Sequence, residues 1–238
     1  MAGDIRFFSA GPLSVLAIVL LIGFILLLIP LLILGVIGAA FTRLGLSWVA
    51  ALALVLLMLA GSFVNIPLYR IRRDMIRATP LDSAGNELMS PFASQPVWDT
   101  VISVNLGGGI IPVGIAVYMV YQADMVTGAT LLIPVVLCAA LVMVISFVST
   151  HEIAGVGIRV PFIIPALTAL LAGVLLAGGM GMNAAVTALA GGTLGTLFGG
   201  NLAHLYRVRD LEVPEVSIGG FGTFIAVFLC CVLPALIA

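Results

Sequence analysis

Apolar residues are gathered along this chain into long runs that polar residues interrupt only briefly. A helix crosses the hydrocarbon core of a bilayer with roughly 20 apolar residues, and by that measure the pattern predicts seven membrane spans. They are Leu13–Ala40, Leu44–Val64, Val101–Tyr121, Ala129–Val148, Pro161–Leu176, Ala184–Tyr206 and Ser217–Ala238. The predicted fold is therefore all-α, a polytopic membrane helix bundle in which residues 1–238 form a single integral membrane domain.

Two stretches depart from this simple pattern. Residues 65–100 are polar, and we expect them to form a cytoplasmic loop too short to be an independent domain. The third span contains three successive glycines and a proline, which predict a broken helix; they are Gly107, Gly108, Gly109 and Pro112. Broken helices carry binding sites in many transporters, but a close crossing with another glycine-rich helix would explain the same residues.

The composition supports a membrane protein and narrows its chemistry. The chain has 238 residues, of which 63% are hydrophobic and 8% are charged. Its net charge of −1 leaves no positive excess to attract nucleic acid. Cys138, Cys230 and Cys231 lie inside apolar runs without metal-ligand spacing, so we interpret them as small buried hydrophobes. We expect neither a metal nor a cofactor.

The basic residues are all arginines, and their placement predicts the orientation of the chain. With the N-terminus inside, eight of the nine fall on the cytoplasmic side: Arg6, Arg70, Arg72, Arg73, Arg77, Arg159, Arg207 and Arg209. Only Arg43 falls outside, as the positive-inside rule expects of a correct span count. This predicts a multi-pass protein of a prokaryotic cytoplasmic membrane, with its C-terminus outside. The first apolar run is longer than the hydrophobic core of a signal peptide, so we expect it to remain as a span.

Four of these arginines begin the polar stretch and form a juxtamembrane basic cluster, namely Arg70, Arg72, Arg73 and Arg77. Such a cluster can bind anionic lipid or an acidic partner. A topology signal without further function explains it as well.

The stretch GGTLGTLFGGNLAHLY, residues 191–206, combines small residues with a polar end. Glycines at four-residue spacing allow helices to approach closely in lipid. The predicted helix-packing residues are Gly191, Gly195 and Gly199 of the sixth span, with Gly219, Gly220 and Gly222 of the seventh. The polar residues that could form a candidate site are Asn105, Thr196, Asn201, His204 and Thr223. We expect His204 to lie at the cytoplasmic interface, within reach of water.

Two protease signatures are incomplete in this chain. The stretch HEIAG, residues 151–155, begins like a zinc-protease helix, but Gly155 stands where the second histidine is needed. The final Pro234–Leu236 matches the PAL motif of Gly-x-Gly-Asp intramembrane aspartyl proteases, but the last three predicted spans contain no aspartate. A mechanism in which paired carboxylates share a proton requires those carboxylates.

Several stretches, taken together, resemble an uncharacterised prokaryotic family of multi-span membrane proteins that is well represented in archaea. They are AFTRLGLS, GSFVNIPLYRI, VNLGGGIIPV, GVGIRVPFIIPAL, GTLGTLFGGNL and SIGGFGTFIAVFL. The resemblance covers nearly the whole chain and implies a membrane fold, but it supplies no activity, because the family is known as a domain of unknown function. The family pattern reads GADL and SIGGAGTFDG where this chain carries Asn201 and Ile225, so both intramembrane aspartates implied by the resemblance are missing.

Missing titratable groups and small extramembrane parts favour a non-enzymatic integral membrane subunit or scaffold of a larger assembly. Its expected partners are the lipid bilayer and other membrane proteins or further copies of the chain. One alternative is a small-solute or ion carrier or channel, with a water-accessible cavity lined by Asn105, Thr196, Asn201 and His204. A second alternative is a catalytically disabled relative of the intramembrane aspartyl proteases.

Overall fold

The apolar runs of the sequence form helices in the structure, a computed structural model that describes residues 12–71, 99–128, 130–210 and 213–237. The described part is mostly helical. Its α-helices are α1 (Pro12–Arg43), α2 (Trp48–Gly61), α3 (Ile111–Thr127), α4 (Leu132–Ser149), α5 (Ile163–Leu176), α6 (Met182–Gly200) and α7 (Phe224–Ala235). A π-helix, Leu106–Ile110, leads into α3, and a 3₁₀ helix, Leu202–Asp210, follows α6. Arg6, Arg72, Arg73 and Arg77 lie outside the described residues.

Two of the described helices are long and apolar enough to cross a membrane, Leu106–Thr127 and Leu132–Ser149. The second is the more apolar, with a mean hydropathy of 2.7 against 1.5 for the first. Four more apolar helical segments are shorter, namely Pro30–Arg43, Trp48–Gly61, Ile163–Leu176 and Phe224–Ala235.

The all-α prediction is wrong in one respect, because short strands lie between the helices. Strands β1 (Asn65–Ile71), β2 (Thr100–Asn105) and β5 (Glu215–Ile218) form a sheet in the order β1-β2-β5. In it, β1 is antiparallel to β2 and β2 is parallel to β5. Strands β3 (His151–Ile153) and β4 (Gly157–Arg159) form a separate hairpin. The stretch 65–100, expected to be a loop, therefore begins and ends in paired strands.

The third predicted span is not broken within its helix. Residues Val101–Asn105, predicted as its beginning, belong to β2, and the glycines form the π-helix that continues directly into α3. The Asn105 side chain makes this start possible, since its Oδ1 accepts the Gly108 N–H at 2.8 Å. A short apolar run is compatible with either a strand or a helix, which is why the pattern alone misassigns these residues.

Helix α6 is the centre of the bundle. Fifteen of its nineteen residues are buried, and it packs against α3, α4, α5 and α7. A helix surrounded on all sides needs no polar face, which accounts for the Ala-, Gly- and Thr-rich sequence of α6. The helix is continuous through its glycines and ends at Gly200, so the predicted extension to Tyr206 is 3₁₀ helix instead.

The glycines of α6 lie against α4. A Cβ atom added at Gly191 would lie 2.6 Å from Cys138 Cβ, and one at Gly195 would lie 2.6 Å from the Ala139 carbonyl oxygen. At Gly199 an added Cβ would overlap the Met143 carbonyl. Because these neighbours are largely backbone, they cannot move aside, and α6 and α4 approach to backbone contact along three turns.

The glycines near α7 have different partners from those the sequence suggests. Gly219, Gly220 and Gly222 precede α7, which begins only at Phe224. Their nearest neighbours are Gly108, Ser217 and Ile158, respectively, and not the glycines of α6. The glycines of the sixth and seventh predicted spans therefore do not pack against each other as helices, and that prediction is wrong. Residues 215–218 form β5 instead of the start of a helix.

The connections between helices alternate between two ends of the bundle. One end carries β1–β5 and the 3₁₀ helix, and we call it the strand end. The α1–α2 turn lies at the opposite end, where Gln122 Nε2 near the end of α3 donates to the Gly45 carbonyl at 3.4 Å. The α5–α6 turn is also there, because Gly178, Gly181 and Thr127 line one shared cleft. We call this opposite end the turn end.

Gly195→Ala is expected to destabilise the fold, whereas Gly114→Ala is its matched control. The first substitution forces a methyl group against the Ala139 carbonyl, and overpacking of this kind costs about 1–3 kcal/mol. Gly114 also lies in a helix but has open space at its Cβ, so alanine there should raise stability by up to about 1 kcal/mol. Thermal unfolding in mild detergent measures both, and equal stability of the two variants would contradict the close packing of α6 on α4.

Candidate functional site

The candidate polar residues lie at or near the strand end, and they are buried. Asn105, Asn201 and Thr223 each expose 1% of their surface, and His204 exposes 6%. Thr196, one turn before the end of α6, is fully buried. The expectation of a water-reachable His204 is therefore wrong, because neighbouring elements cover its ring.

Asn105 connects three elements. Its Nδ2 donates to the Ser62 carbonyl at 2.7 Å and to Asn65 Oδ1 at 2.9 Å, while its Oδ1 accepts the Gly108 N–H. Ser217 Oγ of β5 donates to the same Asn65 oxygen at 2.7 Å. Both donor hydrogens and the acceptor oxygen of Asn105 are thus used, and they hold the end of α2, the start of β1 and the π-helix together.

Asn201 performs the corresponding task between α6 and α7. Its Nδ2 donates to Thr223 Oγ1 at 3.0 Å, and its Oδ1 accepts the Gly219 N–H at 3.3 Å. Gly219 has a φ of 73°, which favours glycine. It also lies against the backbone of Gly108, so that a Cβ on either glycine would overlap the other's carbonyl. The two asparagines therefore hold the two sides of one backbone crossing.

His204 forms a third cluster with residues from two other elements. Its Nδ1 lies 2.6 Å from Glu152 Oε1, and its Nε2 lies 3.2 Å from the Phe147 carbonyl oxygen. Arg207 Nη1 donates to the other Glu152 oxygen at 3.0 Å, and the imidazole stacks on the Phe147 ring with centroids 4.8 Å apart. Because both ring nitrogens face oxygen atoms, both hydrogen bonds form only when the imidazole is doubly protonated. The cluster joins α4, the β3–β4 hairpin and the 3₁₀ helix.

The environment of Glu152 keeps its carboxyl group ionised. Burial by itself would raise its pKa, but the hydrogen bonds and positive charges of His204 and Arg207 outweigh burial and hold the pKa of Glu152 below its ordinary value. Glu152 is consequently an anion that hydrogen bonds from His204 and Arg207 hold near the ends of α4 and α6.

Two of the three threonines of α6 contact sulfur atoms. Thr193 Oγ1 lies 3.3 Å from Cys231 Sγ, and Thr196 Oγ1 lies 3.5 Å from Cys230 Sγ. These contacts join α6 to α7 inside the bundle. In the part of the chain that the structure describes, no group of three or more His, Cys, Asp or Glu side chains could hold a metal ion.

A family described as "Protein of unknown function (DUF1614)" matches residues 59–237, which is more than half of the chain. The chain belongs to this family. No curated protein and no solved structure matches it. The DUF1614 match begins near the end of α2 and includes every polar residue of the three clusters.

The sequence identifies several of these residues as candidates for a polar site, but it does not predict which of them bond to each other. Asn201 and Thr223 are both candidates and bond to each other, whereas Asn105 bonds to Asn65 and His204 to Glu152. Arg207, the remaining member of the third cluster, was not expected there. One signal was available. Glu152 and Arg207 follow predicted spans that end on the same side of the membrane, where opposite charges attract, and His204 lies in the last turn of the sixth predicted span.

Glu152→Gln is expected to destabilise this DUF1614 chain near neutral pH. It weakens two charge-assisted hydrogen bonds. The bond from the buried His204 accounts for most of a loss of about 1 kcal/mol, because solvent screens the exposed Arg207. Because the pKa of Glu152 is lowered on folding, its contribution is fully present above its ordinary value of 4.5 and is lost as the pH falls through the folded-state value. Thermal unfolding across this acidic range should therefore show a smaller gap between wild type and variant at lower pH.

The control for this measurement is Glu215→Gln. Glu215 accepts a hydrogen bond from Ser103 Oγ at 2.5 Å, and an amide oxygen can accept the same bond. We expect a smaller change in stability there. A gap between wild type and Glu152→Gln that did not narrow in acid would contradict the ionised cluster.

Proposed function

We propose that this chain is a multi-pass integral membrane protein that acts as a non-enzymatic subunit or scaffold in a larger membrane assembly. The observation that carries the proposal is the use of the buried polar side chains. Asn105, Asn201 and His204 use their hydrogen-bonding atoms to hold helices, strands and turns together. A side chain engaged in this way supports a shape rather than a reaction.

The membrane location is supported by the outer surface of the helices and by their connections. On α4, the outward side chains of Ile133, Val136 and Val148 are exposed, which in water would leave a large apolar patch. Four apolar segments are shorter than the roughly 20 residues of a perpendicular span. We infer that they cross together with the two longer helices and with α6, which makes seven spans, because successive connections lie at opposite ends of the bundle.

The orientation follows from the arginines. Arg70, Arg159 and Arg207 lie on β1, β4 and the 3₁₀ helix at the strand end, whereas Arg43 ends α1 at the turn end. The positive-inside rule then makes the strand end cytoplasmic. In this arrangement the polar stretch that separates β1 from β2 is cytoplasmic too.

The buried polar groups also separate this proposal from the two alternatives. A carrier using Asn105, Thr196, Asn201 and His204 would need water around them, whereas all four are buried among protein atoms. A protease relative would need carboxylates, whereas Asn201 offers an amide that bonds Thr223 and Gly219. Both comparisons favour a structural role for the strand end.

The orientation is tested by single cysteines and a membrane-impermeant thiol reagent in intact cells. Glu87→Cys in the polar stretch should be labelled only after the membrane is opened, whereas Gly178→Cys in the α5–α6 turn should be labelled from outside. The native cysteines should react little with the reagent, because Cys138, Cys230 and Cys231 are fully buried. Labelling of position 87 from outside would reverse the orientation.

The scaffold role is tested by purification from native membranes in mild detergent, followed by identification of co-purifying proteins. We expect a defined membrane-protein partner or a homo-oligomer at fixed stoichiometry. Gly195→Ala should reduce that yield, because it disturbs the packing of α6, while Gly114→Ala should not. A monomer that drives solute uptake into proteoliposomes, abolished by Asn201→Ala, would reject the scaffold in favour of the carrier.

A further inference from the structure

A cleft of about 510 Å³ opens at the strand end between the end of α2 and the starts of α5 and α7. This volume is typical of ligand-binding clefts, which span about 300–1,000 Å³. The side chains of Asn105, Asn201 and His204 do not line it. Its walls are formed by Ser62, Phe63, Arg159, Val160, Phe162, Gly220, Phe221, Gly222, Phe224 and Ile225.

Four phenylalanines, Phe63, Phe162, Phe221 and Phe224, line the cleft, and most of its surface is apolar. Phe63 is 89% exposed and Phe221 is 80% exposed, and Phe162 and Ile225 are exposed as well. In the proposed membrane location these apolar side chains lie at the ends of the spans, next to the headgroups and the upper acyl chains of the lipids. A ligand of this cleft therefore needs an apolar part that packs among phenylalanines.

One charged residue, Arg159, lines the cleft. Its guanidinium lies 5.3 Å from the centroid of the Phe221 ring, a cation–π distance. Among the described residues no carboxylate pairs with Arg159, and no Asp or Glu lines the cleft. Arg207 differs, because Glu152 neutralises it. The positive charge of Arg159 is thus available to an anion.

The backbone holds Arg159 in place. It pairs with His151 in the β3–β4 hairpin, and the next residue, Val160, donates its N–H to the Gly222 carbonyl at 2.9 Å. Gly222 has a φ of 94°, and its Cβ position would lie 2.5 Å from the Ile158 carbonyl oxygen. The backbone on either side of Arg159 is therefore held by hydrogen bonds and by close contact with Gly222, so a ligand would not have to order it.

We propose that this cleft binds an anionic phospholipid of the surrounding bilayer, with the phosphate on Arg159 and an acyl chain between Phe63, Phe162 and Phe221. The charge complementarity of Arg159 and the apolar walls together select an amphiphile with an anionic head. The inference rests on the membrane location in the proposed function, but not on the scaffold role.

Titration of the detergent-purified chain, followed by native mass spectrometry, tests the site. The two probes are dioleoylphosphatidylglycerol and dioleoylphosphatidylcholine, which share acyl chains but differ in net charge. We expect phosphatidylglycerol to bind more tightly. Arg159→Gln should weaken its binding about five-fold, the effect of one basic residue at a lipid surface, while Arg159→Lys should keep most of it and phosphatidylcholine binding should hardly change.

A second pair of variants tests the charge of the cleft without altering Arg159. Ile225→Asp places a carboxylate at the rim and should weaken phosphatidylglycerol binding, whereas Ile225→Asn, of similar size and polarity, should not. Arg43→Gln at the turn end is the control for general surface charge. Unfolding temperatures are measured for each variant, so that a loss of binding is interpreted only in folded protein.

Three results would overturn the proposal. They are equal binding of the two lipids, unchanged phosphatidylglycerol binding in Arg159→Gln, and displacement of the lipid by inorganic phosphate at equal concentration, which would make the site a free-anion pocket. A cleft occupied by a second copy of the chain would appear as a dimer that Phe221→Ala dissociates, and it would also reject the lipid. A failed membrane location would appear separately, as protein released from membranes without detergent.

Discussion

The crossing of two backbone turns at Gly108 and Gly219 governs the geometry of the strand end. The two glycines touch without side chains between them, and each N–H is accepted by a buried asparagine, Asn105 or Asn201. In an apolar surrounding an unmade hydrogen bond of this kind would cost several kcal/mol. The crossing therefore sets how closely the π-helix before α3 can approach the turn before α7, and through them α2 and α6.

This constraint explains why a chain with so little polar surface keeps buried amides. Asn105 reaches Ser62 at the end of α2, and Asn201 reaches Thr223 before α7, so each amide satisfies backbone that a helix or strand leaves open. The glycines of α6 meet a related demand along α4, where the absence of side chains lets the two helix backbones approach closely. Polar and small residues serve the same purpose here, which is to let backbones meet.

The sequence predicts helices well where a run is long and uninterrupted. The fourth and fifth spans, predicted at Ala129–Val148 and Pro161–Leu176, correspond closely to α4 and α5. The prediction fails at Val101–Asn105 and at Ser217 and Ile218, where residues assigned to spans form strands β2 and β5. A run this short is compatible with either a strand or a helix. The sequence also cannot pair His204 with Glu152, which are 52 residues apart, since only the fold brings their elements together. Asn201 and Thr223 were found because both are polar residues in apolar runs, where each requires a partner.

The two arginines that follow helices α4 and α6 illustrate how the strand end divides its charge. Arg207 forms an ion pair with Glu152, which also binds His204. The charge of Arg207 is therefore neutralised within the protein. Arg159 lies on the hairpin between the same helices, yet it faces aromatic rings and no described carboxylate. Among the described residues, Arg159 therefore keeps a positive charge without a carboxylate partner beside an apolar surface. The hairpin thus contributes one charge, Glu152, to holding the helices together, and its other charge, Arg159, is the one for which we propose an anionic lipid as the ligand.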